Sequence, residues 1–196
     1  LQELKRFDEA LSSYNQAIAI EPKFAQAYYN RGIVLQELKR FDEALDSYDQ
    51  AISINSNFVN AYNNKGVILK SLKRFDEALS VYNQAISIKP DYSKTYYNQG
   101  IALQELNRHD EALISYDQAI AINPDYPEAY NNVGNTLQEL KQFDKALVNY
   151  NHAISIDPDY ADAFFNKSTL LILRGDYSEG WQLYEWRWKQ KHNINS

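Results

Sequence analysis

The sequence predicts an all-α protein made of repeated helix pairs. Three observations support this prediction: an internal repeat of 34 residues, small and apolar residues at helical spacing, and helix-breaking residues between the segments. The string LQELKRFDEAL occurs at Leu1–Leu11 and again, unchanged, at Leu35–Leu45. Variants of the string begin at Leu69, Leu103, Leu137 and Leu171. A period of this length is typical of stacked helical repeats.

Each period contains two amphipathic segments. Tyr28, Gly32 and Leu35 share one face of a first helix, and Ala44 and Tyr48 share one face of a second helix. Residues separated by three, four or seven positions lie on the same side of an α-helix, so each segment has one side to bury. The sequence therefore predicts a first and a second helix in every repeat.

Polar and breaking residues mark the ends of these helices. An aspartate stands where each second helix begins, where it would cap the helix or favour its positive end. A proline follows most second helices and stops them. The aspartates are Asp8, Asp42, Asp76, Asp110 and Asp144, and the prolines are Pro22, Pro90, Pro124 and Pro158.

A glycine recurs on the inner face of the first helix. Glycine costs about 1 kcal/mol relative to alanine inside a helix, so its recurrence indicates that the partner helix comes too close for a side chain. We expect the alanines of the second helix to form the opposing small surface. The glycines are Gly32, Gly66, Gly100 and Gly134, and the alanines are Ala10, Ala44, Ala78, Ala112 and Ala146.

This order of aromatic, glycine, alanine, aromatic, alanine and proline residues within 34 positions resembles the tetratricopeptide repeat. The resemblance implies a right-handed superhelical solenoid of antiparallel helix pairs, whose first helices line a concave groove. It divides the chain into a half repeat (1–24), four full repeats (25–58, 59–92, 93–126 and 127–160) and a divergent last repeat with a tail (161–196). Arg31, Lys65 and Gln99 depart from the family pattern, because they occupy a position that is usually leucine.

One asparagine per repeat stands beside the expected groove face. A carboxamide both donates and accepts hydrogen bonds, so such a ladder could hold the backbone of an extended peptide. Similar arrays line the groove of the O-linked N-acetylglucosamine transferase family. The alternative is that the asparagines tie adjacent helices together, and the two roles can coexist. The ladder is Asn30, Asn64, Asn98, Asn132 and Asn166, and the other predicted groove residues are Tyr29, Tyr97, Asn63, Asn131, Gln36, Lys70, Gln104 and Gln138.

Composition argues against several other functions. The formal net charge of −6 lacks the basic balance of a nucleic-acid binder, and no apolar run approaches the length that spans a bilayer. There is no cysteine, the three histidines (His109, His152 and His192) are scattered, and no catalytic motif breaks the repeat. The sequence predicts no enzyme activity, no cofactor and no metal, and we expect a cytoplasmic protein.

The divergent last repeat holds all three tryptophans, Trp181, Trp186 and Trp188. We expect them to contact a further domain or to support end-to-end self-association, since the sequence opens inside a repeat and is expected to be a fragment. The leading hypothesis is a scaffold that binds a protein or peptide in the groove. The alternatives are a substrate-presenting arm of a larger enzyme, such as a glycosyltransferase, and a structural array that associates through its ends.

Overall fold

The computed structural model describes residues 2–188, with side chains from residue 6 onward. Within this range the chain is a series of α-helices that ends in a short 3-10 helix, which confirms the predicted all-α class. The helices are α1 (Gln2–Ile20), α2 (Ala25–Glu37), α3 (Phe41–Ile54), α4 (Val59–Ser71), α5 (Phe75–Ile88), α6 (Ser93–Glu105), α7 (His109–Ile122), α8 (Pro127–Glu139), α9 (Phe143–Ile156), α10 (Ala161–Arg174) and α11 (Tyr177–Tyr184), followed by the 3-10 helix Glu185–Trp188.

The described part of the chain divides into two compact units, one that extends to residue 98 and one that begins at residue 99. In the first unit α2 pairs with α3 and α4 pairs with α5, while contacts of α1 with α2 and of α3 with α4 stack these pairs. In the second unit α8 pairs with α9 and α10 pairs with α11, and α7 and α9 stack against α8 and α10. Each unit is therefore a solenoid segment built from adjacent helix pairs.

The two helices of a repeat meet where a glycine faces a tyrosine ring. A methyl group added at Gly32 would lie 2.6 Å from Cε1 of Tyr48, which is too close for two carbon atoms. The same contact recurs between the pairs Gly66 and Tyr82, Gly100 and Tyr116, and Gly134 and Tyr150. The predicted close approach is confirmed, but the expected opposing surface is wrong. The tyrosine ring, rather than an alanine, fills the space that glycine leaves.

The aspartates that begin the second helices do not cap them. The residue before α3 is Arg40, whose side chain makes no capping hydrogen bond, and Asp42 lies inside the first turn. There it can still favour the positive end of the helix dipole. Arg40 instead donates two hydrogen bonds of 2.6 Å to the carboxylate of Glu43, which lowers the pKa of Glu43. The predicted capping is therefore wrong, although the charge preference of the first turn is as expected.

The turn between the two helices of a repeat places a non-glycine residue in the left-handed region. Lys39 has a φ of 57° and Lys73 a φ of 59°. The turn is closed by the amide of Arg40, which donates to the carbonyl oxygen of Leu35 at 2.9 Å. Gly175, with a φ of 91°, occupies the corresponding position of the last repeat. Left-handed backbone costs an L-residue about 1–2 kcal/mol, so the lysine turns carry strain that Gly175 avoids.

We expect Lys73→Gly to raise the free energy of unfolding by about 0.5–1 kcal/mol, because glycine adopts the left-handed conformation without strain. Chemical denaturation followed by circular dichroism measures the change. Gln84→Gly is the control, since Gln84 is an exposed residue in the interior of α5. There a glycine should cost about 1 kcal/mol. Destabilisation by Lys73→Gly would contradict the strain argument.

Candidate functional site

The candidate binding surface consists of the side chains that the first helices carry beside their packing face. We call this surface the first-helix face; each unit has its own, carried by α2 and α4 in the first unit and by α8 and α10 in the second. Ten of the predicted groove residues are half-buried: Tyr29, Asn30, Gln36, Asn64, Lys70, Tyr97, Gln104, Asn132, Gln138 and Asn166. The side chains of Asn63, Asn98 and Asn131 are buried.

Asn63 and Asn131 do not lie on an exposed groove wall as expected. Their relative exposure is only 1% and 4%. Nδ2 of Asn98 donates to Oδ1 of Asn63 at 3.1 Å, and Nδ2 of Asn166 donates to Oδ1 of Asn131 at 3.0 Å. Each bond joins first helices of consecutive repeats. The expected exposure is wrong because the preceding repeat supplies a buried partner for the asparagine of the next.

Tyr29 stands at the position that Asn63 occupies in the next repeat, and it is the partner of Asn64. Nδ2 of Asn64 lies 3.3 Å from the hydroxyl of Tyr29 and 3.5 Å from that of Tyr48, to which it donates weakly. The Tyr29 ring packs on Phe58 with centroids 4.7 Å apart, and burial raises the pKa of the Tyr29 hydroxyl. Within the ladder, Asn64, Asn98 and Asn166 therefore connect neighbouring repeats.

Asn30 belongs to the same ladder but has a local partner. Its Oδ1 accepts a hydrogen bond of 2.8 Å from Nε2 of Gln26, which lies one turn earlier in α2. Asn132 is half-buried on α8. The ladder positions are thus equivalent in sequence but differ in their hydrogen bonds. The bonds of Asn64, Asn98 and Asn166 to the preceding repeat support the alternative to peptide binding, in which the asparagines tie adjacent helices together.

Buried tyrosines of the second helices reach the first-helix face through their hydroxyl groups. The hydroxyl of Tyr48 donates to Oε1 of Gln36 at 3.0 Å. Tyr116 and Gln104, and Tyr150 and Gln138, form the same bond at the same distance. Burial raises the pKa of Tyr48 and of Tyr150, which keeps their hydroxyl groups protonated as donors. This pairing was not predicted from the sequence, although the glutamine and the tyrosine are always 12 residues apart.

Tyr82 is the exception in this series. Its side chain is fully buried, and no hydrogen-bond partner for its hydroxyl lies within the described part of the chain. Lys70 stands where Gln36 and Gln104 stand in the neighbouring repeats, and an ammonium group cannot accept a hydrogen bond. The predicted groove residue Lys70 thus leaves a buried donor unsatisfied below it.

The tryptophans of the last repeat have different environments. Trp186 stacks on Phe164 with ring centroids 4.0 Å apart and an interplanar angle of 8°. Trp181 and Trp188 are exposed, with relative exposures of 56% and 74%. The Arg187 guanidinium lies 4.5 Å from the Trp188 ring centroid. Trp186 therefore belongs to the packing of the last repeat, whereas Trp181 and Trp188 form part of its surface.

Nothing in residues 2–188 brings together the side chains of a metal site. No group of three or more histidine, cysteine, aspartate or glutamate residues is arranged to hold an ion there. His109 begins α7 and His152 lies in α9, while His192 falls outside the described residues. None of the described helices is both long and apolar enough to cross a membrane.

Asn98→Ala should lower the free energy of unfolding by about 1–3 kcal/mol, because it leaves the buried Asn63 oxygen without its donor. Thermal and urea denaturation measure this change. Asn30→Ala is the matched control and should stay within about 0.5 kcal/mol of the native chain, since the hydrogen bond of Asn30 joins it to Gln26 of the same helix rather than to another repeat. Equal effects at the two positions would contradict the assignment of Asn98 as a tie between repeats.

The tyrosine hydroxyl groups provide a second comparison. Tyr82→Phe should leave stability unchanged or raise it, because it removes a buried hydroxyl that has no partner. Tyr150→Phe should cost about 1 kcal/mol, since it removes the hydroxyl that bonds to Gln138 and to Asn135. Both free energies come from urea denaturation. A large loss at Tyr82 would show that its hydroxyl is bonded in solution.

The family of the chain is evident from its repeats. Models described as "Tetratricopeptide repeat" match residues 25–58 and 127–160, 57–125, and 149–182, and one described as "TPR repeat" matches residues 2–39. These are repeat models, and none describes a catalytic domain. No curated protein sequence matches the chain significantly.

Solved structures share the fold at low sequence identity. PilW, a type IV pilus biogenesis factor, superposes with a TM-score of 0.82 at 22% identity, covering 93% of this chain and 84% of PilW. YrrB, a TPR protein, gives 0.70 at 22%, covering 92% and 94%. TTC0263 from Thermus thermophilus gives 0.70 at 23%, covering 88% and 94%. The helix pairs, the glycine–tyrosine contact and the matching repeat models agree, and the chain belongs to the tetratricopeptide repeat family.

Proposed function

We propose that each unit of the chain binds an extended segment of a partner protein along its own first-helix face. As a tetratricopeptide repeat protein, the chain is a scaffold for protein–protein interaction. The proposal goes further, because it assigns the contact to particular carboxamides. These are Gln36 and Gln138, two half-buried glutamines that second-helix tyrosines hold in place. Nε2 of the equivalent Gln104 instead donates to Glu139 at 3.4 Å.

The tyrosine–glutamine bond is the observation that supports this assignment. The hydroxyl of Tyr48 engages Oε1 of Gln36, and the hydroxyl of Tyr150 engages Oε1 of Gln138. Because the oxygen of the carboxamide is held, its Nε2 group is oriented while both of its N–H bonds can donate. A carbonyl oxygen of a peptide backbone is a suitable acceptor. Donors oriented in advance lose little side-chain entropy on binding, which favours affinity.

The surroundings of these donors favour a mainly uncharged partner. Ile33 and Val67 in the first unit and Phe165 in the second are half-buried, and Ile33 lies one turn before Gln36 in α2. Apolar and aromatic side chains next to a few oriented polar groups are typical of peptide-binding surfaces. YrrB, which shares the fold at 22% identity, is described as having an unusual peptide-binding site. The likeness is one of fold and does not transfer that site.

The experiment compares two pairs of isosteric substitutions. Peptides are first selected from a displayed random library on the native chain, and their affinity is then measured by calorimetry. Gln36→Glu combined with Gln138→Glu keeps an oxygen acceptor for each tyrosine but removes the N–H donors. We expect this variant to bind the selected peptides at least about tenfold more weakly.

The matched control makes the same charge change on exposed second-helix positions. Gln50→Glu combined with Gln118→Glu should change peptide affinity by less than about twofold, because neither side chain lies on the first-helix face. Circular dichroism verifies that both variants fold as the native chain does. If the two variants bind the peptides equally well, the carboxamides of the first-helix face are not the binding groups.

A further inference from the structure

A cleft between the second helices α7 and α9 is lined largely by aliphatic side chains. Its volume is about 310 Å³, and Leu113, Val133, Leu137 and Val148 contribute its apolar walls. Val148 is 54% exposed, and Ile114, the neighbour of Leu113, is 63% exposed. Ligand pockets usually begin at about 300 Å³, so this cleft has room for one or two inserted side chains.

In the first unit, the position equivalent to Val133 is occupied by a basic residue. Arg31 stands 102 residues before Val133. Its Nε donates to Oγ of Ser47 at 3.0 Å, and its Nη1 donates to Oδ1 of Asn15 at 3.3 Å. Lys65, one repeat later, forms an ion pair with Asp49. Two repeats therefore carry a cation over this cleft, and it pairs with a polar residue of the preceding second helix.

In the second unit, the acidic partner is present on α7, but the position of the cation on α8 is occupied by valine. Asp117 stands where Asn15 and Asp49 stand in the earlier repeats, and Val133 stands where their cations do. No hydrogen bond or ion pair reaches Asp117 from the described residues, and burial raises the pKa of its carboxyl group. Asp117 is itself exposed to solvent, so a cation supplied from outside can reach its carboxylate and form a charge-assisted hydrogen bond with it.

The opposite rim of the cleft has the reverse charge. Lys145 stands where Glu43 stands in the first unit. Its Nζ donates to Oε1 of Gln142 at 2.8 Å, which keeps the ammonium group at the α9 side. A bound cation would be repelled from this rim and attracted to Asp117 on α7. These two charges therefore orient a bound segment so that its basic residue faces α7.

We propose that this cleft docks an amphipathic segment of a partner protein, which places a lysine or arginine beside Asp117 and covers Ile114 and Val148 with aliphatic side chains. The aliphatic stem of the cation lies along Val133, as basic side chains commonly pack on apolar surfaces. The docked cation reproduces in trans the contact that Arg31 makes within the chain. This surface involves the second helices and is independent of the glutamines that carry the proposed function.

The test uses a defined pair of probe peptides. One is a labelled helical peptide of alanine, leucine and arginine, with leucines one turn on either side of a single arginine, and the other has glutamine in place of that arginine. Fluorescence anisotropy measures both affinities. The native chain should bind the arginine peptide about fivefold more tightly, and Asp117→Asn should abolish the difference.

Val133→Arg supplies a cation from within the chain at the position that Arg31 occupies in the first unit. It should weaken binding of the arginine peptide at least about tenfold without lowering the melting temperature, because the new cation pairs with Asp117. Gln118→Arg is the matched control, since it adds the same charge at an exposed position of α7 and should leave binding unchanged. The Gln36→Glu and Gln138→Glu variant should also bind normally, which separates this proposal from the proposed function.

Three outcomes would overturn the proposal. The first is undetectable binding of either peptide, and the second is equal affinity of the native chain for both. The third is a native chain that dimerises in sedimentation measurements while Val133→Arg remains monomeric, because the cleft would then belong to an interface between two copies of the chain.

Discussion

The close approach of a glycine and a tyrosine ring is the contact on which the rest of each repeat depends. At Gly32 there is no room for even a methyl group above the ring of Tyr48. This contact sets the separation of the two helices, and it buries the tyrosine completely. The hydroxyl of the same ring donates a hydrogen bond to Gln36 on the first-helix face. Core packing and the arrangement of the candidate binding groups are therefore consequences of one contact, repeated along the chain.

A second set of bonds connects one repeat to the next. An asparagine of the later first helix reaches a residue 35 positions earlier, which is Tyr29 for Asn64 and Asn63 for Asn98. In the second unit Asn166 reaches Asn131 in the same way. These carboxamides lie at or near the surface where a partner is proposed to bind. Residues that stabilise the fold therefore lie next to residues that are proposed to bind a partner. A loss of binding after substitution of an asparagine is informative only if the stability of the variant is measured as well.

Departures from the repeat leave polar groups without their usual partners. Lys70 in place of glutamine leaves the Tyr82 hydroxyl unpaired, and Val133 in place of a cation leaves Asp117 without a counter-charge. Thr95 replaces an alanine of the other repeats, and its buried hydroxyl also finds no partner among the described residues. In a regular array, nearly every buried polar group is satisfied by the same residue in each copy. The exceptions identify where individual repeats have diverged.

The sequence by itself determined the all-α class, the helix pairing and the need for glycine, because these follow from helical periodicity and a 34-residue period. It also identified the asparagine and glutamine positions of the first helices. Only the tertiary structure decided that Asn63 is buried, that a tyrosine rather than an alanine faces Gly32, and that Trp186 stacks while Trp181 stays exposed. Periodicity specifies which side of a helix is buried, but hydrogen bonds between residues one repeat apart depend on the distance and rotation of neighbouring helices. Those quantities come from the packing of side chains against one another, which no local pattern contains.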